Sequence, residues 1–454
     1  LADNTGVASN YSLTSGTMNV TQKQVNLSGT KVYDNSATLN NSIISVASGL
    51  VGSETLSLSG EVVTNSSNVG TYLASANQLN SGSTNIALTN GSNGGLSNNY
   101  TINEGTYTIT QRPITISGTK VYDGAQTVSA GNITTFNNTA GGQTLAVSGN
   151  TSFLESQSVG SGKTINLSGL TLGNGTGVAS NYSLSSGTFN VTARPVTLTT
   201  SRLFDNTKNV DATNLSVTFN SLVGSETLSL SGSGSVSSEN VASGQQSVTL
   251  GTLSLADNSG VASNYSLTSA TLDINAKPIS LSGSKVYDAS TTAASSALTI
   301  SGTVGGQTLT LTGNGTLSAG ADAGNNKTIN TSGLTLGNGS GGTAGVATNY
   351  SLVGGAYQMT VTQRPVTISG SRFYDSTTTV NSSDISVFTN RAGGQTLSIT
   401  GSGTVATAIA GSSKTVTLGT LTLADGTGSA SNYLLSSGTF DVNSRQVNIS
   451  GSRV

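Results

Sequence analysis

The four prolines of this 454-residue chain all fall at one position of a repeat. They are Pro113, Pro195, Pro278 and Pro365, and each follows a basic residue: Arg112, Arg194, Lys277 and Arg364. Two further copies of the slot carry glutamine, Gln24 after Lys23 and Gln446 after Arg445. From Gln24 to Gln446 the spacings are 89, 82, 83, 87 and 81 residues. Self-similarity at a fixed period decides architecture before any local pattern does. The expectation is a tandem array: residues 1–23 as the end of a preceding repeat, modules at 24–112, 113–194, 195–277, 278–364 and 365–445, and residues 446–454 as the first strand of a following repeat. A continuous β-solenoid would instead need coils of roughly 20–30 residues.

Other residues keep the same clock. A second basic slot holds Lys31, Lys120, Arg202, Lys285, Arg372 and Arg453, so the two slots together take 12 of the 17 basic residues. An aromatic-Asp pair follows it: Tyr33-Asp34, Tyr122-Asp123, Phe204-Asp205, Tyr287-Asp288 and Tyr374-Asp375. Near each module's end stands Asn-Tyr, with Tyr11, Tyr100, Tyr182, Tyr265, Tyr350 and Tyr433. Ten of the 13 tyrosines occupy these two slots, which predicts that they are core or turn-anchoring positions. Residues 1–32 and 423–454 share one phase, as a window cut from a longer array would.

Composition narrows the class. Charged residues are 8 % and the net charge is −2, which leaves no basic surface for nucleic acid. Ser, Thr, Asn and Gly dominate, yet Thr55-Leu56-Ser57-Leu58-Ser59 and Thr308-Leu309-Thr310-Leu311-Thr312 alternate with the period of a half-buried strand. No apolar run has the length of a membrane span. The fold expected is all-β, an array of β-grasp-like or small β-sandwich modules forming an elongated rod. In module 113–194, Pro113 opens a strand with Ile114 and Ile116 inward, Gly118 marks a bend or bulge, and Asp123-Gly124 makes a tight turn. The last strand runs into Arg194-Pro195 of the next module through a short joint that proline stiffens.

The pattern Arg/Lys-Pro-x-x-x-Ser-Gly-x-Lys/Arg-x-Tyr-Asp, with Asn-Tyr-Ser-Leu near the module end, resembles the YDG and MBG ("mostly β-grasp") repeats of large bacterial surface proteins. Those proteins include filamentous-haemagglutinin-like adhesins secreted by the two-partner route. Departures are Phe204 for Tyr, Asn35, Asn206, Ala289 and Ser376 for the glycine after Asp, and Thr199-Thr200 for Ser-Gly. The resemblance implies an extracellular stalk at the bacterial surface, a load-bearing spacer in adhesion or biofilm. Its partners would be the neighbouring repeats, with copies of itself in a filament and a host or biofilm surface as further candidates. A carbohydrate-binding module and a subunit of a laterally associated filament are the alternatives.

No enzyme, cofactor or metal site is expected. His, Cys and Trp are absent, which removes the usual nucleophile-base pairs and zinc sites. Gly160-Ser161-Gly162-Lys163-Thr164 imitates a phosphate loop, but Gln157 stands where that motif requires glycine. Asp3, Asp257 and Asp425 suggest calcium, but Asn174 and Asn338 replace them in other modules, and hard cations want several carboxylates. Asn10, Asn99, Asn181, Asn264 and Asn349 stand in Asn-Tyr-Ser/Thr sequons. The sixth copy, Asn432-Tyr433-Leu434, keeps Asn-Tyr without the sequon, which favours a structural asparagine in a turn.

Overall fold

A computed structural model describes residues 1–79, 85–153 and 155–453. Val454, expected in a first strand, lies outside them. The chain divides into two compact units: Leu1–Val196 with Ser221–Ser229 and Leu255–Ser266, and Thr197–Asn220 with Leu230–Ser254 and Leu267–Val454. Strands dominate throughout; apart from one-turn 3₁₀ segments, the described residues hold a single four-residue helical turn, Ala76–Leu79.

Module 113–194 in the first unit shows how sequence becomes structure. Its strands are β1 (Arg112–Val121), β2 (Thr127–Ser129), β3 (Ile133–Asn137), β4 (Leu145–Ser152), β5 (Gly160–Thr164), β6 (Leu170–Asn174) and β7 (Tyr182–Thr192). The first and last strands lie side by side and parallel, with ten residue pairs from Tyr182 opposite Arg112 to Thr192 opposite Val121. Antiparallel β3 flanks β1 and antiparallel β5 flanks β7, giving the order β3-β1-β7-β5. A smaller antiparallel sheet holds β2, β4 and β6.

In the second unit, six strands of module 365–445 form one curled sheet, Thr379–Asn381, Ser402–Val405, Gly411–Thr417, Tyr433–Asn443, Arg364–Phe373 and Ile385–Thr389, while Leu397–Thr400 pairs antiparallel with Thr422–Asp425 outside it. Most of this module is therefore one curled sheet, with a short antiparallel pair beside it. Its parallel terminal strands are what it shares with a β-grasp. Module 24–112 repeats this centre, with Lys23–Val32 parallel to Tyr100–Thr110 over ten pairs.

Alternation sets the core. Along β1 the buried side chains are Ile114, Ile116 and Lys120, with Gly118 between them. Tyr122 continues the same parity just beyond the strand. Ile114 and Ile116 are fully buried, together with Val128, Phe153, Phe189 and Val191. Phe153 meets Phe189 edge to face at 6.3 Å, a favourable aromatic geometry.

Gly118 is needed for close approach rather than for a bend in its own strand. A Cβ there would lie 2.0 Å from the Asn132 carbonyl oxygen and 2.7 Å from the Phe189 ring. The bulge sits on the neighbouring strand, where Ile133 opposes Gly118 and Thr135 opposes Ser117. In the third module Thr200 takes this place. Pairing there runs in unbroken register, Thr200 opposite Val217, and the threonine hydroxyl is buried without a hydrogen-bond partner.

Two neighbouring features carry stability predictions. The residue after Asp has positive φ in all five modules: Asn35 (65°), Gly124 (72°), Asn206 (62°), Ala289 (62°) and Ser376 (69°). Only glycine takes that conformation without a Cβ penalty. Ala289→Gly is expected to raise stability by about 0.5–1 kcal/mol, read as a higher urea midpoint at unchanged m-value. In the first module Tyr107 fills the last-strand slot that Phe189 and Phe440 fill elsewhere, and its fully buried hydroxyl has no partner. Burial pushes its pKa up to about 12. Tyr107→Phe is expected to gain about 1–2 kcal/mol, since an orphaned buried polar group costs roughly that; a lower melting temperature would contradict it.

Residues 1–22 and 444–453 form no strand. The repeat phase makes 446–453 a first strand, but its counterparts pair in parallel with a last strand of the same module. No such partner is present among the described residues.

Candidate functional site

The clocked residues converge where one module meets the next. The first component is a cation cage at the end of each module's first strand. Lys120 lies on the buried face, and its Nζ donates to the Ala125 and Thr127 carbonyls at 2.9 and 2.7 Å. It also pairs with Asp123 at 2.8 Å. Asp123 in turn accepts the Ala125 N–H at 3.0 Å, which closes the turn. Lys31 and Lys285 make the same three contacts, to Asp34 and Asp288 and to two carbonyls each.

In the other two modules arginine replaces the lysine, and Arg202 and Arg372 pair with Asp205 and Asp375 at 3.0 and 3.3 Å. The guanidinium has more N–H groups than the cage has acceptors: Arg202 Nε is left buried without a partner. Partial burial pushes the Asp34, Asp123 and Asp288 carboxyls up, but the lysine ammonium and the turn N–H outweigh it and hold them below the ordinary value.

The cage aims the next side chain out of the module's end. Tyr33, Tyr122, Phe204 and Tyr287 each meet the Asn-Tyr tyrosine of the following module edge to face: Tyr182, Tyr265, Tyr350 and Tyr433, with centroids 5.3–5.5 Å apart. All eight rings are at most 5 % exposed. Tyr100 is equally buried, whereas Tyr374, with no module docked on it, is 42 % exposed, and Tyr11 is 67 % exposed. These two depart from the expected burial because docking itself covers the aromatic-Asp slot, and Tyr11 lies in the strandless segment.

A glutamine or glutamate that the sequence reading did not single out binds both rings. In each module the Asn-Tyr hydroxyl accepts a backbone N–H and donates to the acid or amide three residues on. The N–H donors are Val51, Ala140, Val223, Val304 and Ala392. The acceptors are Glu54, Gln143, Glu226, Gln307 and Gln395. The same group reaches back to the preceding module. Gln143 Nε2 donates to the Tyr33 hydroxyl at 3.1 Å, Gln395 Nε2 to Tyr287 at 3.0 Å, and Tyr122 donates to Glu226 at 2.8 Å. Burial, and then Glu226, push the Tyr122 hydroxyl up to about 12, so it remains a donor. Phe204 has no hydroxyl, and Gln307 donates instead to Asn206 Oδ1 at 3.2 Å. The slot could have been found by period: its members are spaced 89, 83, 81 and 88 residues apart, always in a Gln/Glu-Thr-Leu step.

The asparagines do something the turn reading missed. Asn181, Asn264, Asn349 and Asn432 are at most 2 % exposed. Each accepts a backbone N–H from the preceding module: Val69, Val159, Val241 and Ala323, at 2.7–2.9 Å. Asn99 and Asn10, which accept no such bond among the described residues, are exposed. The sequons at Asn181, Asn264 and Asn349 are thus closed to a glycan in the docked state.

Arginines of the proline slot complete three joints. Arg112 bonds Tyr33 O behind it at 3.2 Å and Asn138 O ahead at 2.6 Å. Arg364 repeats this with Tyr287 O and Asn390 O, and Arg194 with Tyr122 O and Ser221 O. Pro113 and Pro365 sit second in their strands, and their carbonyls accept Asn138 and Asn390 Nδ2 at 2.8 Å. Pro195 likewise sits second in its first strand, and Pro278 pairs in parallel with Ser351.

The remaining sequence candidates have structural partners. Asp257 and Asp425 accept the Ala262 and Ala430 N–H groups at 2.7 Å, and Asn174 and Asn338 do the same for Ala179 and Ala347, so acid and amide interchange. Gly160–Thr164 is a strand, and Lys163 is buried with its Nζ on the Ser156 carbonyl.

Curled β modules joined by a repeated side-chain clamp define a tandem-repeat protein. The family model of the YDG domain matches four stretches, residues 107–189, 190–272, 273–361 and 357–440. The chain belongs to the YDG domain family. Each match opens a few residues before the proline, in the last strand of the module before, and so spans the joint. No curated protein matches the chain.

Proposed function

We propose that this chain is a spacer, a structural stalk segment of a bacterial surface adhesin whose YDG modules hold an extended, load-bearing arrangement. The observation that supports it most is the joint. The same aromatic pair, bridging Gln or Glu and inserted asparagine recur at four successive boundaries, with about one residue of free chain between strands, as at Gln111. A flexible chain of binding domains has no need of such clamps, since inter-domain motion is the default where interfaces are small. In this reading the partners are neighbouring repeats, the location is the cell surface, and the modules neither catalyse nor carry a cofactor. Small-angle scattering of the 454-residue chain is the test. An extended profile is expected; a radius of gyration near 22 Å, about that of one compact domain of this length, would end the spacer reading.

One observation favours carbohydrate binding as a second reading. The third module has a cleft of about 570 Å³ lined by Ser201, Asp205, Thr213, Asn214, Ser216 and Lys277. Lys277 stands where the other joints have the clamping arginine. Saturable binding on a glycan array, lost in Asn214→Ala, would support this reading over the spacer alone.

A further inference from the structure

We propose that each module is a mechanical clamp whose force-bearing element is the parallel pair formed by its first and last strands. The inference rests on the spacer reading only for the source of tension, because the geometry is a property of the module. The chain enters a module at the start of its first strand and leaves at the end of its last. Those strands are adjacent and parallel over ten pairs in three modules: Lys23–Val32 with Tyr100–Thr110, Arg112–Val121 with Tyr182–Thr192, and Arg364–Phe373 with Tyr433–Asn443.

In a parallel pair, entry and exit points lie at opposite ends. Tension therefore slides one strand along the other, and the evenly spaced ladder bonds are loaded together. In an antiparallel pair pulled at adjacent ends, the bonds open one at a time. Covalent continuity passes the load on: Thr110 is followed by Gln111 and then by Arg112 at the next first strand. No other strand of the module lies on this path. The bulge within the ladder is also tied, as Ser185 Oγ donates to the Ile114 carbonyl at 2.8 Å and Ser436 Oγ to the Val366 carbonyl at 3.1 Å.

The geometry predicts strong anisotropy. Forced unfolding reports the barrier along the pulling direction rather than equilibrium stability. Because the chain has no cysteine, handles can be placed at will. In single-molecule force spectroscopy, the intact chain would be pulled by its termini. The same chain would then be pulled from Thr115→Cys and Asn137→Cys, which face each other across the antiparallel edge pair.

Terminal pulling is expected to give serial ruptures, each lengthening the tether by about 250 Å (~3.6 Å for each of about 80 residues, less the folded span). Their force should be several-fold higher than the first rupture between the edge handles. Equal forces in the two geometries would overturn the clamp. If the edge variant melts early, Thr367→Cys with Thr389→Cys places the same test in module 365–445. A compact scattering profile with the anisotropy intact would remove the spacer and leave the clamp.

Discussion

Tyr122→Ala should cost about 3–5 kcal/mol, the range for truncating a buried aromatic, and should uncouple the second module from the third. The ring is 4 % exposed, packs on Tyr265 at 5.5 Å and donates its hydroxyl to Glu226. Removing it opens a cavity in the joint and takes one of two donors from a carboxylate that Tyr265 also binds. The backbone of the module is untouched, since the Tyr122 N–H bond to Thr192 O survives. Calorimetry of the two-module fragment should therefore show a cooperative transition splitting into two, with the larger loss in coupling. Tyr122→Phe keeps the packing and should lose only about 0.5–1.5 kcal/mol, one hydrogen bond's worth. A single unshifted transition in Tyr122→Ala would refute the joint as a stabilising element. Tyr374→Ala is the internal control: its ring is 42 % exposed, and its loss should be small.

Lys120→Met should destabilise its module by about 2–4 kcal/mol, because groups left without a charged partner inside a fold cost more than the pair gained. The substitution keeps most of the apolar stem and deletes only the ammonium. Ala125 O, Thr127 O and Asp123 then lose their shared donor. Lys120→Arg should fall between, as the wider guanidinium is already accommodated at Arg202 with Nε unpartnered. Acid should act on the same cage. Asp123 has a folded pKa below the ordinary aspartate value of 3.8. Its contribution is therefore present above pH 3.8 and is lost as pH falls through the lower folded value. The acid limb of a pH–melting profile should flatten in Lys120→Met, and a slope unchanged from wild type would show that the cage does not titrate.

Period and alternation carried the all-β class and the repeat into plain view. Proline at a strand start and lysine ahead of Tyr-Asp were legible for the same reason, since partners within ten residues leave a local pattern. The joint was not. Asn181 contacts Val69 and Gln143 contacts Tyr33, more than 100 residues away and in another module. Nothing in the local residues distinguishes an asparagine that closes its own turn from one that enters a neighbour. Gln143 was also hidden by chemistry: Glu54 and Glu226 fill its slot elsewhere, and only the shared acceptor oxygen explains why acid and amide interchange. Lys120 is legible as a basic slot ahead of Tyr-Asp, and its burial follows from parity. It lies on the inward side of Ile114 and Ile116, where an ammonium survives only if caged.

The joint also bears on how such a gene can change. Each boundary brings one end of a module against the opposite end of the next, through residues that every copy carries. A heterologous contact of this kind joins two different patches, so each added unit presents the patch that the next one needs. Deleting one period, or duplicating it, restores a Tyr-Asp end against an Asn-Tyr end wherever the cut falls. Unequal crossing-over between copies can thus lengthen or shorten the array one module at a time, and no recombinant has to evolve a new interface before it folds.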